Sequence, residues 1–137
     1  MELLIIRHGQ SMGEVDERHE GRADFPLSSI GIEQAEKTAA FLYRNYPLER
    51  IYSSPLLRAT STAEIIAGPL QLGVHSDDAL TERDNGKLSG MLRSEALDKY
   101  PYPQQGRSYF ESFFEGESDL EQRLRVELFL ARLCHEQ

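Results

Sequence analysis

Four consecutive apolar residues, Leu3-Leu4-Ile5-Ile6, stand near the start of the chain without polar alternation. Such a run predicts a strand buried on both faces, as in a parallel sheet. Residues 9–25 are polar and read as a loop, with Gly13 and Gly21 allowing unusual backbone angles. Ile32, Ala35, Ala39, Leu42 and Tyr46 then recur at spacings of three and four, which makes one apolar helix face. Ser28 or Ser29 caps that helix and Pro47 stops it. Arg50-Ile51-Tyr52-Ser53 reads as a short second strand. Ser54-Pro55 opens the next helix, pairing a hydroxyl cap with proline at the first helical position; Leu56, Ala59, Ala63 and Ile66 form its apolar side, and Gly68-Pro69 ends it. Val74 falls in a brief third strand.

Residues 81–90 form a polar, glycine-containing loop. Residues 94–100 read as a short helix, and residues 101–106, with two prolines, as a loop or small flap. Ser118 or Asp119 starts a last helix that runs close to the C-terminus. Its apolar residues, from Leu120 and Leu124 through Val126, Leu128, Phe129, Leu130, Ala131 and Leu133, are too many for one face and predict two buried contacts. No repeat, low-complexity segment or linker interrupts the pattern, so residues 1–137 read as one domain. The alternation predicts an α/β fold, three layers α/β/α around a mainly parallel sheet.

Composition narrows the partners. A net charge of −8 argues against nucleic acid or an anionic membrane surface, but a locally positive pocket can still take a small anion. The single cysteine, Cys134, excludes an internal disulfide and favours a reducing compartment. Met1-Glu2-Leu3-Leu4 lacks the basic and apolar regions of a secretory signal, and no run is long enough to span a bilayer. A cytoplasmic enzyme or binding protein is the expectation.

Candidate chemistry begins with Arg7-His8-Gly9, directly after the first apolar run. A strand that ends in these residues delivers them to the sheet edge where open α/β folds bind ligands. Neutral imidazole is a nucleophile, and a neighbouring guanidinium can bind two phosphoryl oxygens. Arg58 falls in the first turn of the Ser54-Pro55 helix, where the dipole disfavours a cation unless an anion binds there. Glu82 lies in Leu80-Thr81-Glu82-Arg83-Asp84-Asn85-Gly86 and can serve as a general acid if burial raises its proton affinity. Taken singly, Arg7 and His8 also read as polar residues after a strand, Arg58 as a solvated arginine, and Glu82 as part of an exposed turn.

Together these segments resemble the histidine phosphatase superfamily, the phosphoglycerate mutase-like group. Leu4-Ile5-Ile6-Arg7-His8-Gly9-Gln10-Ser11 looks like its signature. Gly21-Arg22-Ala23-Asp24-Phe25-Pro26-Leu27-Ser28, with Gly31 and Gln34-Ala35, matches its loop and first helix. Ile51-Tyr52-Ser53-Ser54-Pro55-Leu56-Leu57-Arg58-Ala59-Thr60, with Thr62-Ala63, then Leu80, Glu82, Gly86 and Gly90, then Gly116-Glu117-Ser118 with Arg123, Arg125 and Val126, follow in order. The resemblance implies that His8 attacks phosphorus and becomes phosphohistidine. It implies that Arg7 and Arg58 hold the phosphoryl oxygens, that Glu82 protonates the leaving oxygen, and that Ser11 and Gly21 line the phosphate loop. It implies no cofactor and no metal, and a small phosphorylated metabolite as substrate.

Two departures stand out. Glu14 occupies a place where the family usually has asparagine, and a carboxylate there repels phosphate unless it points away. The family also carries a second histidine, followed by glycine, at the tip of a late strand, and no such segment is present. His135 lacks the preceding strand and following glycine and reads as a surface histidine, as do His19 and His75. The expectation is therefore a C-terminally truncated chain, with an open sheet edge or last helix through which copies could associate. The short segment 94–106 favours a phosphatase, while Glu82-Arg83 resembles the mutase branch. Two further readings stay open: a mutase-type phosphotransferase, and a non-catalytic phosphate-binding protein.

Overall fold

The computed structural model describes residues 2–101, 104, 106, 108–112 and 114–135. Strand β1 (Ile51–Ser53) and strand β2 (Val74–Ser76) pair in parallel, with Ile51 opposite Val74, Tyr52 opposite His75 and Ser53 opposite Ser76. Helix α1 is a single turn, Met12–Val15. Helix α2 (Ser29–Asn45) precedes β1, and helix α3 (Leu57–Leu70) is the crossover from β1 to β2. Alternation along β1 sends neighbouring side chains to opposite faces. Ile51 packs with Ala39 and Leu42 of α2 and Ile66 of α3. Tyr52 turns the other way and meets Phe129 of helix α5 (Asp119–His135) edge-on, with ring centroids 5.5 Å apart. Helices therefore cover both faces of the parallel sheet in an α/β/α arrangement.

Local chemistry explains most boundaries. Ser28 caps α2 by accepting the Gly31 amide at 3.0 Å, and the helix ends at Asn45, just before Pro47. Ser118 and Glu121 cap α5 reciprocally, each side chain accepting the other's amide, at 3.2 and 2.8 Å. Helix α4 (Arg93–Lys99) sits one residue earlier than its predicted span.

Six expectations need correction. Residues 3–6 are not a strand. The described sheet has two strands, β1 and β2, and the apolar run lies outside it, with Leu4 packed on the α2–α3 core and Ile5 89% exposed. Apolar character alone does not make a strand; a ladder partner does, and residues 3–6 pair with neither described strand. The 9–25 loop contains α1, whose start Ser11 caps through the Glu14 amide at 3.0 Å. Helix α3 begins at Leu57, not at Pro55, because its first amide is capped from a distance: Leu57 donates to Asp24 Oδ1 at 2.7 Å. It also runs through Pro69 to a left-handed cap at Gln71. The 81–90 loop includes a 3₁₀ turn, Gly86–Leu88, after another at Asp78–Leu80. Helix α5 buries one face, Phe129 and Leu133, and leaves Leu120, Leu124 and Leu128 exposed. Part of the predicted 101–106 loop lies outside the described residues. Among the described residues no helix is long and apolar enough to cross a membrane.

Candidate active site

Residues 7–11 are fixed against both helices of the core. The Gly9 amide donates to Thr62 Oγ1 (3.1 Å), and Thr62 in turn donates to the Arg58 carbonyl (2.8 Å). The Gln10 amide donates to Gln34 Oε1 of α2 (2.8 Å), and the Gln10 carbonyl accepts from the Ser28 amide (2.9 Å). Two glycines permit this crossing. A Cβ on Gly31 would lie 2.0 Å from the Gln10 carbonyl oxygen, and one on Gly9 would lie 2.3 Å from that of Gly31. The segment thus presents His8 at a set position. His8 Nδ1 is 2.7 Å from the Gly9 carbonyl oxygen. A carbonyl can only accept, so the proton is assigned to Nδ1 and the lone pair to Nε2, the tautomer a nucleophile needs.

Arg58 is the second residue of α3 and is 1% exposed. Its guanidinium donates to the carbonyls of Ala23 (3.0 Å) and Gly21 (2.8 Å) and to Glu82 Oε2 (2.7 Å), and its Nε lies 3.6 Å from Glu20 Oε1. Gly21 has a φ of +49°, and a Cβ there would sit 2.8 Å from Asn85 Nδ2. Glycine is therefore required where the chain turns its carbonyl onto Arg58. Ser11 is fully buried and donates to Glu20 Oε1 at 2.5 Å. Glu82 is half-exposed, at 44%. Ligating atoms of His8, Glu20 and Glu82 lie within 4.8 Å of one another.

The structure thus brings His8, Arg58 and Glu82 together, with Ser11 reaching the group through Glu20 and Gly21 through Arg58. Arg7 is placed differently: its guanidinium is largely exposed and bonded to Glu14. Glu14 therefore neutralises one of the two arginines expected to bind phosphate. His135 closes α5 on the surface, and His75 is exposed beside Tyr52. His19 is half-buried, and burial followed by the Arg93 charge lowers its proton affinity.

Sequence reasoning passed over Glu20. Its signal was position alone, an acid directly before Gly21. Its room comes from Gly13, where a Cβ would sit 2.8 Å from Glu20 Oε1 and 2.7 Å from the Phe25 ring. Imidazole and two carboxylates also form a donor set suited to a divalent cation. Here Arg58 already contacts both carboxylates, so a guanidinium supplies positive charge at that point.

A second ionic cluster secures the segment that carries Glu82. Arg125 of α5 grips Glu117 with two bonds (2.6 and 2.8 Å) and donates to the Ala79 carbonyl (2.7 Å). Glu117 accepts the Asp84 amide at 3.4 Å, and Arg22 lies 3.7 Å from both Asp84 and Glu117. The Arg125 bonds hold the Glu117 carboxyl below its ordinary proton affinity, against the opposing effect of burial.

Known phosphatases are similar to this chain in sequence and in fold. Phosphoserine phosphatase 1 of Hydrogenobacter thermophilus is 41% identical over 101 residues, covering 74% of this chain and 47% of that protein. The uncharacterized phosphatase PhoE of Bacillus subtilis is 35% identical over 99 residues, covering 72% of this chain and 51% of that protein. The chain spans about half the length of these curated relatives. Among solved structures, a mycobacterial glucosyl-3-phosphoglycerate phosphatase complexed with VO3 superposes with a TM-score of 0.86 at 29% identity, over 95% of this chain and 63% of that one. The alpha-ribazole phosphatase of Shigella flexneri gives 0.83 at 30% identity, over 96% and 66%. The pattern that defines the histidine phosphatase superfamily (branch 1) matches residues 3–137, and the chain belongs to that superfamily.

Proposed function

We propose that this chain carries the machinery of a phosphatase that hydrolyses a small phosphomonoester through a phosphohistidine on His8. The observation that carries the reading is the meeting of the His8 imidazole with the Glu82 carboxyl beside the buried Arg58. His8 Nε2 attacks phosphorus as the ester P–O bond breaks. Glu82, in its acid form, gives its proton to the departing oxygen. Arg58 exchanges Glu82 for phosphoryl oxygens and offsets the charge that spreads over them in the transition state. Arg7, next to His8 and exposed, has freedom to leave Glu14 for the same purpose. In the second half Glu82 takes a proton from water, the water oxygen bonds to phosphorus, and the P–N bond breaks to restore His8.

Glu82 lies close to His8 and must withdraw as the phosphoryl group enters. Its exposure gives it the freedom to do so. The names of these relatives favour hydrolysis, because each is a phosphatase, and phosphoserine and glucosyl-3-phosphoglycerate are small phosphorylated metabolites. Acid-labile label on His8 after incubation with a radiolabelled phosphomonoester, absent in His8→Ala, is the expected result. No label and no hydrolysis at high enzyme concentration would sink the reading and leave a phosphate-binding protein without turnover.

A further inference from the structure

Attack, charge stabilisation and leaving-group protonation are assigned to His8, Arg58 and Glu82, and Glu20 is left without a role. It is nevertheless nine-tenths buried beside all three. The groups that face it come from every neighbouring segment. Ser11 donates to it at 2.5 Å, and His8 approaches from the same stretch. Arg58 of α3 lies at 3.6 Å, Glu82 comes from beyond the Asp78–Leu80 turn, and Gly13 of α1 packs against its side chain. Arg7 and Glu14 neutralise each other nearby.

A phosphate held between His8 and Arg58 arrives within a few ångströms of this carboxylate. Glu82 can swing toward solvent, but Glu20 cannot, because it is buried and pinned by Ser11. Two anions about 5 Å apart in a protein-like dielectric weaken binding by roughly a hundredfold. The charge must be removed where it stands.

We propose that Glu20 takes up a proton as the phosphoryl group binds, and that the resulting carboxylic acid donates a hydrogen bond to a phosphoryl oxygen. One proton leaves solvent and one O–H bond forms on Glu20, while no bond to phosphorus changes. Glu20 thereby turns from a competitor for Arg58 into a neutral donor beside the nucleophile. Phosphate binding becomes coupled to proton uptake and strengthens as pH falls. The inference rests on the phosphatase reading only for placing the phosphoryl group between His8 and Arg58.

Calorimetric titration of the full chain with inorganic phosphate at pH 5.5 and pH 7.5, in two buffers of different ionisation enthalpy, tests this directly. A hundredfold effect moves a carboxyl's protonation by about two pH units, so at pH 5.5 the wild type should take up most of a proton more than Glu20→Gln, and at pH 7.5 much less. Glu20→Gln, a permanent neutral donor, should bind phosphate at least about tenfold more tightly at pH 7.5, with the advantage shrinking toward pH 5. Glu20→Ala, which keeps no donor, should bind more weakly than Glu20→Gln at both pH values. Weaker or equal binding by Glu20→Gln would mean that the carboxylate only positions Arg58, and would overturn the proposal. Equal proton uptake by wild type and Glu20→Gln at pH 5.5 would overturn it too. If Glu20→Gln does not fold, absence of proton uptake by the wild type alone at pH 5.5 decides against it. His8 labelling and ester hydrolysis are scored separately. Hydrolysis without Glu20-linked uptake defeats this proposal alone, whereas uptake without hydrolysis or label defeats only the catalytic reading.

Discussion

Arg58→Ala should cost about 3 kcal/mol of folding stability as well as activity. Removing the guanidinium deprives the Gly21 and Ala23 carbonyls of their charged donor. Each such bond is worth about 1–1.5 kcal/mol net, part of which water entering the vacated space returns. Glu20, nine-tenths buried, loses its countercharge at 3.6 Å, which adds about 1–2 kcal/mol. Glu82 is 44% exposed and re-solvates, so its lost pair adds little. The sum lies at the lower edge of the roughly 3–5 kcal/mol seen for broken buried pairs. It corresponds to a melting temperature lower by about 10 °C for a chain of this size. The decisive assay is a double-mutant cycle in urea, followed by circular dichroism and tyrosine fluorescence, since the chain has six tyrosines and no tryptophan. Neutralising the stranded acid in Arg58→Ala/Glu20→Gln should recover about 1 kcal/mol or more of the loss. If Arg58→Ala stays within about 1 kcal/mol of wild type, or if the two changes add without coupling, the ionic account of this site is wrong.

Other outcomes follow from the same geometry. Gly31→Ala should lower stability by more than about 3 kcal/mol, because its Cβ meets the Gln10 carbonyl oxygen at 2.0 Å, while Gly73→Ala, with nothing within 4 Å, should be nearly neutral in the same melt. Glu117 has a folded-state proton affinity below its ordinary value of 4.5, so its stabilisation is complete above about pH 4.5 and is lost as pH falls through the lower folded value. Glu117→Gln should therefore show a shallower loss of stability below pH 4.5 than wild type; equal acid slopes would contradict the assignment. Glu82→Gln should slow hydrolysis of alkyl phosphates more than that of activated aryl phosphates, and equal slowing of both would remove Glu82 as the general acid.

What could be read from the sequence was mostly what is decided locally. The spacing of Ala35, Ala39 and Leu42 and the cap at Ser28 define α2 without reference to anything distant, and the structure buries those same residues. The reciprocal Ser118–Glu121 cap does the same for α5. The misreadings arose where a remote partner decides. Residues 3–6 have strand composition but no ladder. The start of α3 moved because Asp24, far away in sequence, supplies its cap. The Leu120, Leu124 and Leu128 stripe looked like a buried face, but these residues stay 40–59% exposed. The candidate site divides in the same way. His8, Arg58 and Glu82 were marked by residue type within a motif, and the fold places them together. Glu20 carries no such mark, because its importance depends on Ser11, Gly13 and Arg58 closing around it.

The charges around His8 point to one further step. Both arginines expected to bind phosphate already hold carboxylates, Arg7 holding Glu14 and Arg58 holding Glu20 and Glu82. Two positive charges thus face three negative ones, and on the phosphatase reading proposed above the carboxylates take contacts that a phosphoryl group would need. Such an arrangement stabilises a buried guanidinium that would otherwise cost several kcal/mol. It also sets stability against affinity, because every carboxylate that secures an arginine must be displaced or neutralised before phosphate can use it. Glu82 is half-exposed and can be displaced, and Glu14, though only 26% exposed, is paired with an arginine that is itself exposed and can leave it; Glu20 has neither freedom. Substitutions that neutralise Glu14 or Glu82 should therefore change phosphate affinity little in the presence of salt, whereas the same change at Glu20 should change it strongly at any ionic strength. A salt series on Glu14→Gln and Glu20→Gln separates the two, and a larger salt-independent effect at Glu14 would refute the ordering.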